Sequence, residues 1–147
     1  MPPSDAARPV ITVVAALATD RDGRLLLVRK RGTARFMQPG GKPETGETLP
    51  GALVRELAEE LGLTVADDSL TELGRFDTAA ANEPGHALIA HVFRLVVTDP
   101  VAAAAEIAEI RWCTAAEADS LGDRLAPLAR ELLAVAGAAP DGPAVAG

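Results

Sequence analysis

The stretch from Gln38 to Gly62 constrains this chain more than any other. Pro39-Gly40-Gly41 opens an irregular loop that runs through Pro43, Gly46 and Glu47. Its glycines allow backbone to come close to a ligand. The loop then meets a helix. Thr48 is the candidate N-cap, Pro50 falls in the first turn where its missing N–H costs little, and the spacing predicts a helix from about Leu49 to Leu61 closed by Gly62. Leu53, Val54, Leu57, Ala58 and Leu61 are expected to form its apolar stripe, with Glu56, Glu59 and Glu60 on the opposite side. Carboxylates spaced i, i+3 and i+4 repel one another. One reading is a solvated acidic face. The other is a site for a hard divalent cation, because Mg²⁺ takes oxygen ligands from a few carboxylates, waters and substrate phosphates.

The rest of the chain reads as one domain. It has 147 residues, 48% of them hydrophobic and 24% charged, enough apolar material for a core. Cys113 is the only cysteine, which excludes an internal disulfide and a cysteine-based zinc cluster. Charge interrupts every apolar run before it could span a membrane, and Met1–Pro9 lacks an apolar signal core, so the expected location is cytoplasmic. The expected organisation is a loose leader at 1–9, a domain at 10–137 and a loose tail at 138–147. Val10–Thr19, the turn Asp20-Arg21-Asp22-Gly23 and Leu25–Val28 read as a hairpin. Further strands are expected at Phe36–Gln38, Leu70–Phe76, Ala87–Val97 and Glu109–Cys113. Ala102–Ala105 reads as a helical turn or a loop near a site, Thr114 caps a short turn, and Leu125–Val135 is the last helix. Strands interrupted by a few helices imply an α/β fold, a mixed sheet with helices on both faces.

Lys and Arg total 14 against 21 Asp and Glu, a formal net charge of −7, which argues against extended nucleic-acid contacts. The basic residues are uneven. Arg21, Arg24, Arg29, Lys30, Arg31, Arg35 and Lys42 crowd between Asp20 and Lys42, opposed only by Asp20 and Asp22. That segment could meet a small anionic ligand, or it could be a solvated hairpin edge.

Gly41, five residues, Glu47, seven residues, then Arg55-Glu56-Leu57-Ala58-Glu59-Glu60-Leu61-Gly62-Leu63 resembles the Nudix box at every defining position. The preceding Gln38-Pro39-Gly40-Gly41-Lys42 is similar to the usual lead-in. With the strands before it and Glu109-Ile110-Arg111-Trp112 after it, the likeness extends over about residues 10 to 135 and is to Nudix hydrolases of the MutT-like kind. The resemblance implies an α/β/α sandwich with a mixed β-sheet and a loop-helix-loop catalytic motif. It implies cleavage of a phosphoanhydride in a nucleoside diphosphate linked to a group X. It also implies metal ligation by Glu56, Glu59, Glu60 and the Gly41 carbonyl, with Mg²⁺ as the ion and Mn²⁺ as its substitute. Arg55 would orient the box carboxylates, and Glu47 would brace loop to helix. The general base is open among Glu59, Glu56 and Glu106, with Glu109 as a competitor for the last. Arg29, Arg31, Arg35 or Lys42 would steady the substrate phosphate.

The expected substrate is a small nucleotide. A nucleoside triphosphate, ordinary or oxidised, would give a monophosphate and pyrophosphate. ADP-ribose or another nucleotide sugar is the alternative, and a non-catalytic nucleotide-binding module is the reading from another class. His86, His91, Trp112 and Cys113 are expected to be structural, and Phe36, Phe76 and Phe93 to be core or cleft wall. Ala87–Val97 could pair across the two-fold axis of a homodimer or lie mid-sheet. Abundant Arg, Ala and Gly suggest a bacterial, GC-rich source.

Overall fold

The computed structural model describes residues 9–138, with side chains through 136. Apart from Pro9 and residue 138, the expected leader and tail lie outside the described residues. The strands are β1 (Val10–Thr19), β2 (Leu25–Lys30), β3 (Phe36–Met37), β4 (Gly40–Gly41), β5 (Thr71–Ala79), β6 (Ala87–Val96) and β7 (Ile107–Cys113). The helices are α1 (Leu49–Leu61), α2 (Ala115–Asp119) and α3 (Pro127–Ala138).

β1 is the spine. It runs parallel to β6 along its whole length, from Val10 opposite Ala87 to Thr19 opposite Val96, and β5 lies antiparallel on the far side of β6. β6 is therefore mid-sheet. Val14 to Ala18 are all buried, because both faces of β1 are covered. Val14, Ala16 and Ala18 meet Leu53, Leu57 and Leu61 of α1. Ala15 and Leu17 meet Leu128, Leu132 and Ala136 of α3. This is the mixed sheet with a helix layer on each face that the sequence implied.

The hairpin differs from its expectation. Its turn is present, with Gly23 N–H donating to the Asp20 carbonyl (3.1 Å). The two strands, however, pair only at Thr19 opposite Leu25. Beyond that point β4 takes the edge of β1, with Gly41 opposite Val14 and Gly40 opposite Ala15, while β2 turns to β3 and β7. Ala16 N–H donates to the Pro39 carbonyl (2.9 Å), so the glycine loop is stitched into the sheet. The fit tolerates nothing larger at position 40: a Cβ there would collide with the Val14 carbonyl.

Helix α1 is capped as expected. Thr48 Oγ1 accepts from Gly51 N–H, and Gly62 closes the helix in the left-handed conformation at φ 69°. Its buried arc is rotated from the expected stripe. Ala58 is exposed, whereas Ala52 and Glu60 are buried beside Leu53 and Leu57. The reason is tertiary: the helix sits over β1 and β4, which carries Glu60 beneath Gly40. Segment 102–105 is a loop, not a helical turn. Its Ala102 and Ala104 N–H groups donate to the Leu61 and Glu60 carbonyls, satisfying acceptors that the end of α1 leaves free. The last helix starts at Pro127 rather than Leu125, because Leu125 forms an isolated bridge with Phe36. Thr114 and Glu117 form a reciprocal capping box on α2.

Leu57 is fully buried between α1 and β1. Leu57→Ala is expected to lower unfolding free energy by about 2–5 kcal/mol, measured by denaturant titration.

Candidate active site

Arg55 is the hub of the loop-helix junction. Its Nε and Nη2 donate to Glu47 Oε2 (2.7 Å) and Oε1 (3.0 Å), a two-pronged pair. Its Nη1 donates to Glu56 Oε2 (3.1 Å) and Glu59 Oε1 (3.3 Å), and Nη2 also donates to the Lys42 carbonyl (3.2 Å). One guanidinium thus ties the loop to three carboxylates. Hydrogen bonds from Arg55 and from the Glu44 backbone hold the Glu47 carboxyl down to about 2. Glu47 foremost, then Glu56 and Glu44, push Arg55 further above its already high value.

Glu60 is different. It is 2% exposed, and its Oε1 accepts from Gly40 N–H (3.1 Å). Burial pushes its carboxyl up to about 7, with the Glu56 and Glu106 charges adding and Gly40 and Lys30 opposing. Burial also raises the Glu56 carboxyl, against Arg55. The Glu56 carboxylate lies against Gly41, where any Cβ would occupy its place. That contact explains a glycine at position 41 better than turn geometry does.

A cleft of about 510 Å³ opens in front of this arrangement. Lys30, Lys42, Glu56 and Glu106 bring charge to its lining, beside the backbone of Gly40 and Gly41. Ile11, Val13, Leu88, Pro127 and Leu128 furnish apolar wall, and Ala79–Glu83 forms a rim. Lys30 Nζ stands 3.8 Å from Glu106 Oε2. Glu106 is brought there by a loop that Arg31 clamps. Arg31 N–H donates to the Glu106 carbonyl (2.7 Å) and its Nη2 to the Ala105 carbonyl (2.9 Å), with Ala105 at φ 54°.

The three arginines expected at the substrate phosphate hold protein groups and do not line the cleft. Arg29 donates to Glu109 Oε1 (3.1 Å) and the Thr33 carbonyl (2.9 Å), and Arg35 to the Ala81 carbonyl on the rim (3.1 Å). Arg31 is the clamp just described. Of the basic residues named for that role, Lys42 alone lines the cleft. Glu109 is neutralised between Arg29 and Arg111, which lower its carboxyl, and it does not line the cleft. None of the three phenylalanines lines it either. Phe36 is fully buried with Arg111 and Arg124 over its ring (4.7 and 5.2 Å to the centroid). Cys113 is buried, and burial raises its thiol.

Two cleft residues escape a reading of sequence spacing. Lys30 sits within a basic run; strand alternation turns it to the face opposite Arg29, and a bulge at Ala108 of β7 shifts the register beside it. Gln38 is 6% exposed and lines the cleft, and neither carboxamide atom has a hydrogen-bond partner. Its only sequence signal was a place in the lead-in to the glycines.

Glu56, Glu59, Glu60 and the Gly41 carbonyl offer oxygen donors alone, a set suited to a hard divalent cation rather than to zinc or copper. Among the described residues, no three acidic, histidine or cysteine side chains are already gathered about one point. Glu56 and Glu59 turn to Arg55, and Glu60 to Gly40. The donor chemistry fits such an ion.

Residues 9–135 of the chain match the family model of the NUDIX domain. The chain belongs to that family and is a MutT-like Nudix pyrophosphohydrolase, in a family that generally uses divalent metal ions and acts on small nucleotides. It is 31% identical over 143 residues to a MutT-like protein of Streptomyces ambofaciens, covering 94% of this chain and 86% of that one. An 8-oxo-dGTP diphosphatase of Haemophilus influenzae is 34% identical over 74 residues (48% of this chain, 54% of the relative). An ADP-ribose pyrophosphatase of Methanocaldococcus jannaschii is 37% identical over 81 residues (53% and 46%). The crystal structure of a MutT protein from Methanosarcina mazei superposes with a TM-score of 0.72 at 24% identity, covering 88% of this chain and 94% of that one.

Arg55 holds the Glu47 carboxyl at about 2 against an ordinary 4.5. A carboxyl depressed on folding stabilises above its unfolded pKa, and that contribution disappears as pH falls through the folded one. Glu47→Gln is therefore expected to lower the Tm at pH 7 relative to the parent. The gap should close as pH drops from 4.5 toward 2, read by thermal melts across that range.

Proposed function

We propose that this protein hydrolyses a nucleoside triphosphate, ordinary or oxidised, to a monophosphate and pyrophosphate in a Mg²⁺-dependent reaction, with Mn²⁺ as a substitute. The observation that carries this reading is one cleft that Glu56, Gly41, Lys30, Lys42 and Glu106 line together. Glu56, Glu59, Glu60 and the Gly41 carbonyl would hold the cation. Bound there, it would offset phosphate charge and polarise the phosphorus.

The chain's own residues supply the rest. Arg55 keeps Glu56 and Glu59 turned toward the glycine loop. Lys42 and Lys30 present positive charge to the phosphates, so a net charge of −7 does not repel the substrate locally. Water is the nucleophile. Its proton passes to a carboxylate, with Glu106 favoured over Glu59 and Glu56 because Arg55 already occupies the latter two. Attack on one phosphorus of the α–β phosphoanhydride breaks its P–O bond, water's oxygen stays on that phosphorus, and the other half, pyrophosphate or the nucleoside monophosphate, departs against the lysines. Arg29, Arg31 and Arg35 serve the site by holding its loops.

The partner is a small nucleotide, not extended nucleic acid. No described helix is long and apolar enough to cross a membrane, and we place the enzyme in a bacterial cytoplasm. Cleavage of ADP-ribose to AMP and ribose 5-phosphate is the second reading, supported by the pyrophosphatase relative from M. jannaschii.

The test is a product-resolved panel of ordinary and 8-oxo nucleoside triphosphates, ADP-ribose, dinucleoside polyphosphates and UDP-glucose, with Mg²⁺ and with chelator. Pyrophosphate release from a triphosphate, abolished by chelator, is expected. Turnover of ADP-ribose alone would replace the first reading by the second. Glu60→Gln is expected to cut metal-dependent turnover by orders of magnitude while the fold persists, because glutamine can still accept from Gly40 N–H. Near-parental turnover in that variant would remove Glu60 from the ligand set.

A further inference from the structure

The structure assigns to Gln38 the role of reading the substrate's nucleobase, an inference that rests on the nucleoside triphosphate reading above. Gln38 ends the β3 side of the glycine loop and lines the cleft. Its carboxamide is buried, yet Oε1 and Nε2 are both without a partner. Buried polar groups are almost always hydrogen-bonded, and leaving one unpaired is unfavourable. An apolar side chain would fill the same place without that penalty. An amide held there gains its partners when something enters the cleft.

The composition of the cleft says what enters. Among the described residues that line it, none is aromatic. The walls Ile11, Val13, Leu88 and Leu128 can hold a flat ring by dispersion, which scarcely distinguishes one base from another. Discrimination needs a donor and an acceptor in fixed positions. Asn82 is exposed on the rim, and Lys30, Lys42, Glu44, Glu56, Glu83 and Glu106 are charged. Gln38 is the one neutral amide that burial holds in place. A carboxamide offers a coplanar N–H donor and C=O acceptor, the complement of a base edge that carries an adjacent acceptor and donor. Pairing of this kind selects strongly, since a base with the wrong edge leaves the amide unpaired.

The test compares the full chain with Gln38→Met, which keeps length and removes the polar atoms. kcat/KM is measured with Mg²⁺ for triphosphates of each base and for inorganic tripolyphosphate, which has no base. In the parent, one base should be preferred. In Gln38→Met that preference should collapse at least tenfold, chiefly through KM. Tm should be unchanged or higher, and any tripolyphosphate hydrolysis should stay within twofold of the parent. Retained selectivity in the variant overturns the assignment. Selectivity retained alongside a fallen Tm marks Gln38 as structural and overturns it equally. Should Gln38→Met fail to fold, the side-chain amide resonance of Gln38 in the parent is followed by NMR. It should shift on addition of the preferred nucleoside monophosphate and stay fixed with inorganic phosphate; an unmoved resonance overturns the assignment. A parent that hydrolyses no triphosphate overturns the proposed function and this inference together. An active parent with an indifferent Gln38 overturns the inference alone.

Discussion

The close seating of α1 on the two glycines of β4 is the constraint on which the site depends. Gly40 lets backbone press against the Val14 carbonyl, and Gly41 leaves room for the Glu56 carboxylate. Glu60 is then drawn under Gly40 and buried. The glycines serve less for turning than for the absence of a Cβ. One packing contact therefore sets both the helix rotation and the placing of its carboxylates. It also parts β1 from β2, since β4 takes the edge that a longer hairpin would use.

Electrostatics explains why such a crowd of carboxylates folds. Arg55 is shared among Glu47, Glu56 and Glu59, so like charges meet across a common cation. Glu60 lacks an arginine and responds instead by holding its proton more tightly. The carboxylates are thus poised unequally, one depressed and two raised. Unequal environments of this kind are typical of sites that bind and transfer charge. Away from the helix, the arginines between Arg29 and Arg35 act as ties. They fasten the 105–106 loop and the 81 rim, and the lysines are left to line the cleft.

Much of this was legible in the chain because its signals are local. Thr48, Pro50 and Gly62 delimit a helix through their own backbone preferences, and the structure places them as expected. The spacing of Gly41, Glu47 and Arg55 to Glu60 carries the family likeness without any knowledge of contacts. The apolar, β-branched run of β1 signals a strand, and the structure covers that strand on both faces. Where structure and expectation differ, the cause is of longer range. Ala58 and Glu60 exchanged places across the edge of a helix face, and no single-helix pattern contains the sheet that decides it.

The sequence by itself determined the class of fold, the family and the candidate oxygen donors, because spacing along one helix and one loop is preserved whatever surrounds them. Tertiary structure alone decided which of the basic residues face the cleft, which carboxylate is buried, and that Glu106 rather than Glu109 reaches the site. Each of those outcomes depends on segments far apart in sequence. Lys30 and Glu106 meet through a bulge in β7 and a clamped loop, and Gln38 is buried although its neighbours in sequence give no sign of it. A contact between distant segments is fixed by the packing of the whole, and so leaves no periodic trace in the chain.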